Sequence, residues 1–124
     1  MKQLKRQGFF REMLHGEATD PSIKEYINKL TCNSEEKSKI IDYLHDGILL
    51  TACCGTSDDI IHPENGVAGV PSFYTDGKWV WPGDLVYYVN RYNLALDLVF
   101  LEDMRANQWK VPKKSIDSDE FTIV

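Results

Sequence analysis

This 124-residue sequence lacks several features that mark membrane proteins and common enzyme classes. No apolar run approaches the ~20 residues that a membrane-spanning helix requires. The stretch Gly66-Val67-Ala68-Gly69 has neither the flanking strand and helix nor the Lys-Ser or Lys-Thr pair of a phosphate-binding loop. CxxC and HxxxH spacings, low-complexity tracts and internal repeats are also absent. These absences argue against a membrane span, a nucleotide site and a structural zinc site, and the length favours one small domain.

Cysteine is scarce and odd in number. Cys32 stands alone, and the adjacent Cys53 and Cys54 do not suit a strain-free mutual disulfide. The basic start Met1–Gln7 has the charge of a signal peptide, but charged residues interrupt the sequence that follows it. We therefore expect reduced thiols in a cytoplasmic protein.

Charge is unevenly distributed along the chain. The formal net charge is -5, yet residues 32–103 hold twelve acidic and four basic residues, which leaves both ends slightly basic. An acidic middle repels nucleic acid phosphates and speeds the encounter with a basic partner, although solubility alone would also favour it.

The clearest local signal is a strand-to-helix transition. Asp76-Gly77 is the dipeptide of a type I′ hairpin turn, and strand-forming residues flank it on both sides. Trp79 and Trp81 lie two residues apart and so share one face of their strand, where we expect core packing. Pro82 removes a ladder donor, and a helix over 85–92 follows from an i, i+3, i+4, i+7 stripe. The stripe consists of Leu85, Tyr88, Val89 and Tyr92.

Four further helices are predicted from apolar spacing and caps. The first runs from about Leu4 to His15, before Gly16. The second starts at the N-cap Asp20 with Pro21, and the third lies between Asn33 and Gly47. The fourth has Asp97 as its N-cap and an apolar stripe. Its stripe residues are Leu98, Leu101 and Met104.

The remaining segments complete an α+β fold. Ile48–Cys54 is a continuous apolar run, which predicts a buried strand at the centre of a sheet. Thr56–Gly69 is a polar loop. We predict a single domain over residues 1–112, in which N-terminal helices pack on a mostly antiparallel sheet of three or four strands and two C-terminal helices follow the hairpin. Residues 113–124 form a polar tail whose end, Phe121–Val124, either docks on a sheet edge or frays.

A metal site or a cysteine–histidine catalytic pair could be built from residue types that this chain holds close together in sequence, namely Cys53, Cys54 and His62. Adjacent strand residues point to opposite faces, however, so the two thiols cannot share one site. We interpret them as core cysteines and assign no catalytic residue, metal or cofactor.

Two groups of residues are candidates for contact with a partner. Asp58, Asp59 and Glu64 lie in the polar loop, and we expect them near Asp76. They suit a solvated loop, a partner-facing acidic patch or general acid/base chemistry. Tyr87 and Arg91 are four residues apart on the predicted helix, off its apolar stripe, and suggest an exposed aromatic-cation pair of the kind enriched at interfaces.

A longer motif gives a resemblance. The chain fits the pattern TDGxWxWPxDLxYYV between Thr75 and Val89, with Arg6–Phe10 before it and Met104–Trp109 after it. In these segments it resembles a family of small bacterial proteins, over most of residues 5–112. The type is similar to the immunity proteins encoded beside polymorphic or contact-dependent growth inhibition toxins.

The resemblance implies a cytosolic, non-enzymatic protein that binds and neutralises the C-terminal domain of a toxin, often a basic nuclease. No nucleic acid or membrane partner is expected. On this hypothesis the partner contacts are Asp58, Asp59, Glu64, Tyr87 and Arg91. Two alternatives stay open: a ligand-sensing or regulatory module with its pocket at the hairpin-helix junction, and a cysteine-dependent enzyme that uses Cys53 or Cys54 with His62.

Overall fold

The computed structural model describes residues 2–13, 17–31, 33–52, 55–70, 72–112 and 121–123. These residues form an α+β fold, as the sequence predicts. The strands are β1 (Lys2–Arg6), β2 (Ile48–Thr51), β3 (Ser57–Asp58), β4 (Val67–Gly69), β5 (Phe73–Thr75), β6 (Trp79–Pro82) and β7 (Phe121–Ile123). The helices are α1 (Ser34–His45), α2 (Leu85–Tyr92) and α3 (Leu98–Ala106), and two 3-10 turns lie at Ile23–Glu25 and Pro63–Asn65.

The main sheet is mixed. Its strand order is β2-β5-β6-β1-β7, and β3 and β4 form a separate two-stranded ribbon. The β2, β5 and β6 strands are antiparallel, whereas β1 joins β6 in parallel and β7 joins β1 in parallel. Part of the predicted tail therefore returns to the sheet as β7, while residues 113–120 lie outside the described part of the chain.

The first predicted helix is wrong, because its first residues form β1. Lys5 and Arg6 are in register with Trp79 and Val80 of β6. Leu4 is fully buried with Phe9 and Val80 in a small apolar cluster on the sheet. This long-range packing outweighs the local spacing that suggested a helix. The predicted end of that helix, at His15 and Gly16, lies outside the described residues.

The second predicted helix is reduced to the 3-10 turn at Ile23–Glu25, which Ser22 caps instead of Asp20. The Asp20 carboxylate is engaged elsewhere, because it accepts two hydrogen bonds from the Arg6 guanidinium at 2.9 and 3.0 Å. Asn28 then adopts a left-handed φ of 58°, and its backbone N–H donates to the carbonyl of Tyr92. The segment is thus fixed to the end of α2 before a helix can extend.

The predicted hairpin is confirmed, but its turn is not type I′. Gly77 has a φ of 98° whereas Asp76 does not have the positive φ that a type I′ turn requires there. Instead, the buried Asp76 carboxylate organises a longer turn by accepting from the N–H groups of Lys78 and Trp79 at 2.9 and 2.8 Å. It also accepts from the Tyr43 hydroxyl of α1 at 2.6 Å, which joins the turn to the helical layer.

The core lies between the sheet and the three helices. Trp79 and Trp81 are both buried, as predicted, and they pack on Phe100 of α3 with ring centroids 4.8 and 5.5 Å away. The Trp79 and Phe100 rings are stacked with an interplanar angle of 26°, whereas the Trp81 ring is tilted by 39° relative to Phe100. The helices add further buried side chains to this cluster: Ile40, Tyr43 and Leu44 from α1, Leu85, Tyr88 and Val89 from α2, and Leu101 and Met104 from α3.

Two apolar predictions fail at the surface. The β2 strand borders the sheet instead of lying at its centre, and its Leu49 side chain is 54% exposed. Leu98, one of the three apolar residues noted on the predicted helix, is 74% exposed. An apolar run or stripe indicates a secondary structure, but only the packing of neighbouring elements decides which members become buried. Cys53 and Cys54, at the end of the predicted strand, lie outside the described residues.

The Asp76 turn leads to a stability prediction. Asp76→Ala should lower the free energy of unfolding by about 3 kcal/mol, since it leaves two backbone N–H groups and the buried Tyr43 hydroxyl without their acceptor. Urea unfolding followed by tryptophan fluorescence measures the change. Asp42→Ala, at an exposed position of α1, is the control and should change stability by less than about 0.5 kcal/mol. An equal effect of the two substitutions would contradict the role of the turn.

Candidate functional site

The predicted polar loop folds as a small ribbon that rests on α2. We call residues 57–69 the acidic ribbon, since they contain Asp58, Asp59 and Glu64 and no lysine or arginine. Its two strands, β3 and β4, are joined through the 3-10 turn at Pro63–Asn65. The ribbon therefore holds all three acidic residues that the sequence suggested as partner contacts.

Asp59 fixes the shape of the ribbon from inside. Its side chain is fully buried, with 0% exposure. One carboxylate oxygen accepts from the N–H groups of Ile61 and His62 at 2.8 and 2.9 Å, which closes the chain into a tight turn. The other oxygen faces α2. There it accepts from the Tyr87 hydroxyl at 2.8 Å, from the Tyr92 hydroxyl, and from the amide of Asn65 at 3.2 Å.

These hydrogen bonds decide the charge of Asp59. Burial by itself raises the pKa of the carboxyl, but the donors from Tyr92, the His62 N–H and Tyr87 more than offset it. The pKa of Asp59 is consequently held well below its ordinary value of 3.8. A carboxylate with a low pKa and both oxygens occupied is a poor general base, so its evident role is to organise the ribbon.

Three tyrosines of α2 attach the ribbon to the helix. Besides Tyr87 and Tyr92 on Asp59, the Tyr88 hydroxyl donates to the Asp58 carbonyl at 3.3 Å and accepts from the Ile60 N–H at 3.1 Å. Burial, together with the negative charge of Asp59, raises the pKa of all three hydroxyls. The tyrosines therefore remain protonated at neutral pH and act as hydrogen-bond donors.

The ends of the ribbon pack against the start of α2. The Ser57 hydroxyl donates to the Asp84 carboxylate at 2.7 Å. Gly69 lies so close to Asp84 that a Cβ at position 69 would be 3.1 Å from the Asp84 Cα. The ribbon is consequently anchored at both ends and in the middle, which restricts its conformational freedom before any partner binds.

The outer side of the ribbon combines negative charge with apolar surface. Asp58 and Val67 are register partners across the two strands, and both side chains are exposed. Glu64 is exposed at the tip, where its carboxylate lies 3.4 Å from the His62 imidazole. His62 in turn stacks on Tyr92 with ring centroids 6.0 Å apart. An exposed Val70 follows β4. Asp58, Glu64, Val67 and Val70 are thus all exposed, on the ribbon or directly after it.

The other predicted site residues are placed differently from expectation. Asp76 does not join the loop acids, because it lies at the closed end of the hairpin, whereas the ribbon packs beside Gly83 and Asp84 at the open end. Tyr87 is half-buried against Asp59, so the predicted exposed pair with Arg91 is wrong for the tyrosine. Arg91 itself is exposed on α2, near enough to Tyr92 to oppose the rise in the pKa of that hydroxyl.

A cavity of about 260 Å³ extends the acidic surface beside the ribbon. Its lining includes acidic residues from three separate segments, namely Glu12, Asp58 and Asp84, together with Met13 and Ile60. By contrast, the hairpin-helix junction retains a cavity of only about 90 Å³, which is smaller than the ~300 Å³ of a typical small-molecule pocket. The tryptophans and α2 fill the rest of that junction.

Among the described residues, the structure does not assemble the cysteine–histidine or metal site that the sequence suggested. His62 is exposed and interacts with Glu64 and Tyr92, while its proposed partners Cys53 and Cys54 lie outside the described residues. Within the described ranges, no group of three or more histidine, cysteine or carboxylate side chains is arranged to hold a metal ion. The helices in the same ranges are all too short or too polar to cross a membrane.

The structure thus defines a small α+β protein with an anchored acidic ribbon. Comparisons with models of known families, with curated proteins and with solved structures find no match to this chain. The resemblance to immunity proteins consequently stays a prediction from the motif.

The sequence identified the acidic residues of the ribbon but did not predict which of them is buried. Asp58 and Asp59 are adjacent, and only Asp59 turns inward. One local signal was present: an aspartate whose carboxylate can accept from the N–H groups two and three residues later is typical of a turn. No sequence signal placed Tyr87 against Asp59, because the half-buried position of this tyrosine follows from the tertiary structure.

The Asp59 network predicts a specific pH dependence. Asp59→Asn should lower the free energy of unfolding by about 2 kcal/mol near neutral pH, because an amide cannot accept from all five donors. Since the folded chain holds the pKa of Asp59 below 3.8, its stabilisation is complete above that pH and is lost as the pH falls further. Urea unfolding near neutral pH and near pH 3 measures both effects. The difference between the two proteins should shrink in acid, and a constant difference would contradict the assignment.

Proposed function

We propose that this protein is a cytosolic immunity protein that binds and neutralises a bacterial toxin domain by protein-protein contact. The partner surface is the outer side of the acidic ribbon. The observation that carries the proposal is the buried Asp59 network, because it holds Asp58 and Glu64 in a fixed exposed arrangement beside Val67. The motif by which the chain resembles immunity-like proteins supports the proposal from the sequence.

The chemistry of this surface selects a basic partner. The ribbon exposes two carboxylates and contains no lysine or arginine, and Glu12 adds a third acidic residue in the neighbouring cavity. This negative charge attracts positively charged partners. A nuclease domain is such a partner, since it carries a basic surface for phosphate groups. The negative charge increases the rate of encounter, and the exposed Val67 and Val70 supply apolar area that excludes water from the contact.

Pre-organisation makes a small surface effective. A mobile acidic loop loses conformational entropy when it binds, which weakens the complex. Here the ribbon is already ordered by Tyr87, Tyr88 and Tyr92, so more of the interaction energy remains for binding. Covering the nucleic acid surface of the toxin then needs no catalysis by the immunity protein.

The primary experiment is capture and rescue. The tagged protein is co-purified with the product of the reading frame immediately upstream of its gene, and bacterial growth is compared with and without it. Under the proposal we expect a one-to-one complex and restored growth. A failure of both would refute the proposal. The Cys53→Ser/Cys54→Ser double variant should protect as the wild type does, and a folded double variant without protection would favour cysteine chemistry instead.

Charge reversal tests the surface itself. Asp58→Lys combined with Glu64→Lys should weaken toxin capture by on the order of tenfold to a hundredfold, mainly through slower association, and should abolish the salt dependence of binding. Biosensor kinetics at two ionic strengths measures both. The matched control is Asp42→Lys with Glu102→Lys, at exposed positions of α1 and α3, because it changes the net charge equally. Undiminished capture by the ribbon variant, or an equal loss in the control, would show that the ribbon is not the contact surface.

A further inference from the structure

The tip of the acidic ribbon contains the dipeptide Asn65-Gly66. Among the six asparagines of the chain, Asn65 is the one that a glycine follows. Glycine has no side chain to hinder its backbone nitrogen, so an asparagine that precedes it is the kind most prone to deamidation. The turn itself favours this pair, because Gly66 has a φ of 84°. The conformation of the ribbon tip therefore retains a reactive dipeptide.

Deamidation would convert Asn65 into an acid, with water as the co-reactant. The Gly66 nitrogen loses its proton and bonds to Cγ of Asn65, the Cγ–Nδ2 bond breaks, and the leaving nitrogen takes up a proton and departs as ammonia. Water then opens the cyclic succinimide to give aspartate or isoaspartate. The reaction thus requires that the Gly66 N–H is accessible and that the Asn65 side chain can turn toward it.

The folded ribbon restrains both groups. The Gly66 N–H donates to the Pro63 carbonyl at 3.0 Å. The side-chain amide of Asn65 donates to the Asp59 carboxylate at 3.2 Å and to the Tyr92 hydroxyl at 3.3 Å. Since Asn65 is exposed to water, these hydrogen bonds protect it and burial does not. They are lost whenever the ribbon opens locally.

We propose that Asn65 is a deamidation site that the Asp59 network keeps inactive while the acidic ribbon is closed, and that the product prevents the ribbon from closing again. The second part follows from charge. The new carboxylate replaces an amide donor that lies 3.2 Å from an oxygen of Asp59, so a hydrogen bond is exchanged for the repulsion of two negative charges. The inference concerns the free chain and does not depend on toxin binding.

Position-resolved mass spectrometry of protein incubated in mildly alkaline buffer tests the first part. The same chain unfolded in urea gives the unrestrained rate. Asn65 should deamidate more slowly in the folded wild type, by on the order of tenfold or more, because the reaction then waits for local opening. Asn33, an exposed asparagine that caps α1 and precedes Ser34, is the internal control.

Two variants open the network. Asp59→Ala removes the carboxylate acceptor and should bring the rate at Asn65 close to the rate in urea, with Asn33 unchanged. A rise at both asparagines would indicate global unfolding of Asp59→Ala, and Tyr92→Phe then takes its place. Tyr92→Phe removes one donor to Asp59 and one partner of Asn65, and it should accelerate Asn65 alone.

Several outcomes would overturn this first part. One is an equal rate at Asn65 in the folded and the unfolded wild type. Another is a folded Asp59→Ala variant that reacts as slowly as the wild type. The last is a Tyr92→Phe variant that leaves Asn65 slow or accelerates Asn33 to the same extent.

A comparison of Asn65→Asp with Asn65→Ala tests the second part. Both variants lose the amide donor, but only the aspartate adds a charge beside Asp59. Hydrogen exchange should show protection of the amides of residues 57–69 that is lower in Asn65→Asp than in Asn65→Ala by on the order of tenfold, because like charges favour the open ribbon. Equal protection in the two variants would refute the claim that the product prevents closure.

Discussion

The burial of β6 on both of its faces is the constraint on which the rest of the structure depends. All four residues from Trp79 to Pro82 are buried. Trp79 and Trp81 pack on Phe100 in the helical layer, whereas Val80 packs on Leu4 and Phe9 on the other side. Because β6 also pairs with β5 and β1, it fixes both the sheet and the position of the helices relative to it.

The acidic ribbon depends on this framework through α2. The helix starts directly after β6, so the buried hairpin sets the position of Tyr87, Tyr88 and Tyr92. Their hydroxyls meet Asp59 and the ribbon backbone, which converts a polar loop into a surface of defined shape. The buried, ionised carboxylate of Asp59 thus orders the ribbon that exposes Asp58. The same network that stabilises the fold therefore also prepares the surface proposed to recognise a basic toxin.

The acidic ribbon exposes Asp58 and Glu64. The ribbon is charged and internally braced, as a surface for a basic protein requires.

The sequence by itself determined the α+β class, the hairpin, α2, the Asp97 cap of α3 and the burial of Trp79 and Trp81, because local turn chemistry and apolar spacing decide these features. It misplaced β1, β2 and the segment after Asp20, since their state depends on partners distant in the chain: β6 for β1, the sheet border for β2 and Arg6 for Asp20. The three ribbon acids were identifiable from composition. Only the tertiary structure could decide that Asp59 turns inward. The low pKa of its carboxyl depends on hydroxyl donors from Tyr87 and Tyr92, which are distant in the chain, so no local sequence pattern predicts it.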